Sequence, residues 1–116
     1  MRVIVAAFLA LTVLALPAQA QEAAVFRCEE DGVAFYYRVG PNEFRHWQDG
    51  GAPRWLPNNC DAYAECSWTA GVFTLYTEML NLLQEFDTNV GIYRWGVRGE
   101  EPTVQHCTRS SDPPPT

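Results

Sequence analysis

Apolar and polar residues alternate with period two along much of the chain beyond residue 24, the mark of half-buried strands rather than helices. Residues 25–30 and 33–39 form the first two runs, and Glu30-Asp31-Gly32 between them reads as a hairpin turn. Gly40-Pro41-Asn42 turns the chain into a third strand over 43–48, which ends at Asp49-Gly50-Gly51. Residues 52–61 contain Pro53, Pro57 and an Asn pair and read as an ordered loop, with Trp55 and Leu56 folding back to cap the core. Strands follow over 65–69 and 72–77, either side of Ala70-Gly71. In 78–86, Met79, Leu82, Leu83 and Phe86 repeat at helical spacing. The segment runs directly into Asp87-Thr-Asn-Val-Gly91 and an alternating strand over 92–97, so 82–86 is assigned as the first arm of a hairpin. One helical turn is tolerated near 78–81. The last strand spans 103–109.

Seven or eight short strands separated by Gly, Pro and Asn turns predict an all-β antiparallel meander, a small barrel or sandwich. Phe35, Tyr37, Phe73, Tyr93 and Trp95 are the expected core rings.

The ends of the chain have a different character. Met1-Arg2 precede a run that is apolar from Val3 to Leu16 except for Thr12, and Pro17 and Ala18-Gln19-Ala20 close it. That is the layout of a cleaved secretory signal, residues 1–20, of a length that fits a bacterial source. The apolar stretch falls short of the ~20 residues that span a bilayer, so retention as an anchor is disfavoured. The expected product is one β domain over 21–109, followed by a Pro-rich, mobile tail over 110–116. It is placed in the periplasm or outside the cell, with no membrane insertion after the leader is removed.

Export changes the reading of the four cysteines. In an oxidising compartment Cys28, Cys60, Cys66 and Cys107 pair as two disulfides, in one of three connectivities. Loop entropy does not choose: 28–107 with 60–66 is worth roughly 4.5 plus 2.4 kcal/mol, and 28–60 with 66–107 roughly 3.7 plus 3.9. Geometry favours Cys28–Cys107 and Cys60–Cys66, because the first and last strands become neighbours when a sheet closes and 61–65 is a loop one bridge can close. C-x₅-C is not a zinc spacing, so no metal and no cofactor are expected.

Charge narrows the partners. Without Arg2 the chain keeps seven arginines against fourteen acids and has no lysine. An acidic surface repels phosphate backbones, which argues against nucleic acid, and attracts a cationic protein. Four Trp and five Tyr would also suit sugar rings, so a glycan is the other candidate partner. Trp47 and Trp55 are the best candidates for a contact surface; His46, which points to the opposite face of the strand from Trp47, is a further candidate binding residue and a candidate base near Asp49. Carboxylates at Glu29-Glu30-Asp31 and Glu100-Glu101 fall at hairpin turns, where solvation alone favours them. No serine elbow and no phosphate-cradling glycine loop is present, and no catalytic residue is assigned.

Phe86-Asp87-x-x-x-Gly91-x-Tyr93-x-Trp95, followed by Cys107 on a final strand, resembles small exported bacterial β proteins of unassigned function. Those carry a hydrophobic-Asp-x-x-Thr-Gly-x-Tyr hairpin and a Cys-bearing last strand. The likeness covers about a quarter of the chain, Val90 stands where Thr is usual, and the turn alone accounts for the Asp and Gly. In size, export and Cys-closed β architecture the chain is also similar to periplasmic inhibitors of C-type lysozyme, although it has no segment that aligns with their lysozyme-blocking loop. These features imply an exported binding or inhibitor module acting on a cationic cell-wall hydrolase or an envelope glycan. The alternatives are a small glycan hydrolase, which needs two acids among Glu29, Glu30, Glu65 and Glu85 facing each other within about 10 Å, and a structural envelope protein.

Overall fold

The computed structural model describes residues 22–61 and 65–110; the expected signal, 1–20, and all of the expected tail except Ser110 lie outside them. Nine antiparallel strands form one curled sheet, a half-barrel. They are β1 (Ala24–Glu30), β2 (Val33–Gly40), β3 (Glu43–Gln48), β4 (Arg54–Trp55), β5 (Glu65–Thr69), β6 (Val72–Thr77), β7 (Leu82–Asp87), β8 (Ile92–Val97) and β9 (Thr103–Arg109). Their order across the sheet is β4-β3-β2-β1-β9-β8-β7-β6-β5. The chain thus meanders outward from β1 to one edge, crosses to the other, and meanders back to β9 beside β1.

Cys28 and Cys107 sit directly opposite each other across that β1–β9 seam and are bonded. Cys60 and Cys66 form the second bridge, so both expected pairings are present. The Asp31-Gly32 and Ala70-Gly71 turns each place two successive residues at positive φ, which is what tight two-residue hairpins require.

The concave face carries the core. Phe26, Phe44, Phe73, Phe86, Leu75 and Val39 are fully buried there. Phe44 of β3 stacks on Phe73 of β6 with centroids 5.2 Å apart, although the two strands lie far apart in the sheet order. That contact is the curl: the sheet bends until its two wings bury each other's rings.

Three expectations require correction. Segment 52–61 is not only loop: Trp55 and Arg54 pair with Trp47 and Gln48 as β4, and Asn59–Asp61 forms a 3-10 turn. Its prolines flank this short pairing instead of preventing it. Trp55 does not cap the core but packs edge-to-face on Trp47, 5.2 Å away, on the convex face. Cys60, Cys66 and Trp68 border the core instead. Phe35 and Trp95 are not core rings: they are 39% and 37% exposed. Both alternate onto the concave face as expected, but each sits at a strand end beyond the last ring able to pack against it. Residues 78–86 divide as their sequence pattern allows, into a 3-10 turn over Glu78–Leu80 and strand β7.

Candidate functional site

Period-two alternation brings one set of side chains to a single end of the half-barrel. The ends of β1, β3 and β8 contribute Glu30, His46 and Trp95; the starts of β2 and β7 contribute Phe35 and Leu82. Deeper positions on the same face supply Tyr37, Gln84, Tyr93 and Gln105, and the 3-10 turn brings in Asn59. Together they line an open cleft of about 440 Å³. The walls are aromatic and the floor is polar.

The floor is wired in one direction. Gln105 Nε2 donates to Glu30 Oε1 at 2.9 Å, which fixes the amide so that its oxygen faces the other way. That oxygen accepts the Tyr37 hydroxyl proton at 2.8 Å. Tyr93 likewise donates to Gln84 Oε1 at 2.6 Å. Both glutamines are buried, and buried amides need such partners. Burial pushes the Tyr37 phenol up to about 12, reinforced by the nearby Glu30 charge and opposed by the Gln105 bond. Tyr93 is raised as well, chiefly by burial and then by Tyr37. With their protons committed to the glutamines, the two hydroxyl oxygens have only acceptor capacity left to offer. His46 meets Tyr37 edge-on at 5.0 Å and Phe44 at 5.2 Å. Burial lowers its pKa, disfavouring the imidazolium. Among the described residues Glu30 is the one acid in the lining, and no arginine lines the cleft.

The rim extends this character. Of eight large apolar side chains exposed among the described residues, seven are at this end: Val33, Phe35, Met79, Leu80, Trp95 and Val97 around the cleft, and Val104 on the convex side of β9. The strand ends and turns here also carry Glu30, Asp31, Asp49, Glu78, Glu100 and Glu101, against Arg54 and Arg98. No protein-family model, characterised protein or solved structure matches this chain.

The residues singled out from sequence do not form one site. Trp47 and Trp55 pack together on the convex face, both half-buried, and the buried Trp47 Nε1 has no hydrogen-bond partner. His46, next in sequence to Trp47, faces the cleft on the other side of the sheet. The acids required for paired-carboxylate chemistry are dispersed. Glu85 pairs with Arg94 at 3.0 Å and Glu29 with Arg27, both on the convex face; Glu65 is exposed at the β5 edge. Glu30 is the one carboxylate in the cleft lining. Among the described residues no group of three His, Cys, Asp or Glu side chains is placed to hold a metal, and no helix is long and apolar enough to cross a membrane. Gln84 and Gln105 were not anticipated. Their signal was a polar residue at an inward position: Gln84 lies between Leu82 and Phe86, and Gln105 two residues before Cys107.

Proposed function

We propose that this chain is an exported binding module of inhibitor type, and that the cleft end of its half-barrel docks on a cationic protein, a cell-wall hydrolase being the concrete form. One observation carries the reading: exposed apolar side chains and unpaired acids gather at the same end, over an aromatic cleft. Solvent-exposed apolar side chains grouped in this way are a feature of contact surfaces, since a soluble domain gains nothing by grouping them. The acids around them favour encounter with a basic partner and speed its approach at low salt. The two disulfides are compatible with an oxidising, extracellular compartment, where such hydrolases act.

The test is capture of basic wall hydrolases, C-type lysozymes among them, on the immobilised protein at low and at high salt. Retention at low salt that falls steeply with added salt, and that Phe35→Ala with Trp95→Ala reduces at least tenfold, is the expected result. Retention by the double variant equal to the wild type, or no retention at low salt, overturns the reading.

A further inference from the structure

We propose that the cleft receives an arginine side chain of the basic partner, the guanidinium lying against Phe35 and Trp95 with Glu30 as its counter-charge. This rests on the docking role assigned above and names the feature of the partner that the cleft selects.

The argument starts with what the cleft can offer. Its walls are ring faces, which attract a cation through the negative face of the π-system. Its one acid is a carboxylate held in place by Gln105. Its two phenols have spent their protons on Gln84 and Gln105, so their oxygens are left as acceptors. The Gln84 amide and the His46 ring add N–H donors to the lining, but its carboxylate and its phenol oxygens are acceptors, so a ligand that suits this set must be flat enough to stack, positively charged and rich in donors. Guanidinium has all of these properties: it is planar, carries five N–H donors, and sheds its hydration more readily than an ammonium. A lysine ammonium would meet the charge but not the stacking surface.

The protein already uses this pairing on its own rings. Arg109 places its guanidinium 5.2 Å from the centre of Phe26 at the opposite end of the half-barrel, and Arg98 lies 4.5 Å from that of Tyr76. No such partner from the chain itself covers Phe35 or Trp95 among the described residues.

The probe is N-acetyl-arginine amide, followed by the indole N–H resonance of Trp95 in the disulfide-intact protein, assigned through Trp95→Phe. N-acetyl-citrulline amide, a neutral near-isostere, and N-acetyl-lysine amide are the controls. The arginine probe should shift Trp95 saturably, citrulline should bind at least tenfold more weakly, and lysine several-fold more weakly. Glu30→Gln, with its fold checked by the amide spectrum, should reduce arginine affinity about tenfold and leave citrulline unchanged. Trp95→Leu, followed through the His46 ring protons, should lower affinity for arginine while keeping the charge. Equal binding of arginine and citrulline, or shifts confined to Trp68 at the other end, overturns the proposal. If mouth-dependent capture of a basic protein holds while the arginine probe leaves Trp95 unmoved, the anchor is wrong and the docking role stands. If the probe binds and no basic protein is captured, the docking role falls and takes this assignment with it.

Discussion

The two ends of the half-barrel are built from the same strands and finished in opposite ways. At the far end the turns Pro41-Asn42, Ala70-Gly71 and Thr88 to Gly91 carry no charge, and two are tied together. Thr88 N donates to Gly71 O at 3.0 Å, and Asn89 Nδ2 to Ala70 O at 2.9 Å. Arg109 covers Phe26 there, and Trp68 borders the core. The groove at that end is lined by both Glu22 and Arg109, so its charges oppose each other. At the cleft end the aromatic rings extend past the packed layers, Met79 is 86% exposed, and acids outnumber arginines. The far end is a groove too, but its acid is set against an arginine and its buried ring is covered by that same arginine. Exposed rings together with an excess of acids occur at the cleft end, and that difference is what separates a surface kept for contact from incomplete packing.

The largest effect should come from the seam on which both ends depend. Cys28–Cys107 joins residues 79 apart, so replacing both with Ala should cost about 4.5 kcal/mol, read by urea unfolding with the slope fitted separately for each protein, because the released unfolded chain is less compact. Removing Cys60–Cys66, which closes a loop with a separation of 6, should cost about 2.4 kcal/mol. If the two losses were equal, or their order reversed, the outward and return meanders would be held by packing and not by the β1–β9 bridge.

A smaller effect should separate the ends themselves. Gly91 in the far-end turn has φ +72°, and a Cβ there would come within 2.2 Å of the Cys107 carbonyl oxygen. Cys107 N also donates to Gly91 O at 2.7 Å, so neither segment is free to move away. Gly91→Ala should cost about 3 kcal/mol. Gly32, in the hairpin at the cleft end, has φ +80°, but a Cβ added there would meet nothing within 4 Å, and Gly32→Ala should cost only about 1 kcal/mol. Thermal midpoints of the two variants measure the difference; similar shifts would mean the far end is no more tightly built than the cleft end.

Much of this architecture was legible in the alternation. Eight of the strands follow from period two and turn residues; the even cysteine count gives two disulfides but not their pairing, and Cys28–Cys107 follows only once the first and last strands are taken as neighbours in a closing sheet. Alternation assigns a side chain to a face but not to a depth along the barrel. Phe35 and Tyr37 share a face two residues apart, and only the curl decides that Tyr37 is buried while Phe35 reaches the rim. The same rule was enough to separate His46 from Trp47, since neighbours on a strand point opposite ways. The tie between Glu30 and Tyr37 through Gln105 spans β1, β2 and β9 and depends on their register, which no local pattern encodes.

The smallest effect tests whether the polar floor belongs to the cleft end alone. Tyr37 ionises near pH 10 when unfolded and at about 12 when folded, because burial disfavours the phenolate. A folded pKa above the unfolded one means the neutral phenol contributes stability that is complete below pH 10 and is lost as the pH rises towards 12. Urea unfolding between about pH 8 and 12 should therefore show an alkaline loss for the wild type that exceeds that of Tyr37→Phe by at most about 2 kcal/mol. Tyr93 is itself raised partly by Tyr37, so the comparison is made in a Tyr93→Phe background, where only Tyr37 differs. The far-end turns contain no tyrosine, so Gly91→Ala should lower stability by the same amount at about pH 8 and about pH 11. A Tyr37→Phe protein with the wild-type alkaline slope would mean that the phenol is solvated in the folded state. Its proton would then not be committed to Gln105, and the Tyr37 oxygen would no longer be held as an acceptor facing the cleft.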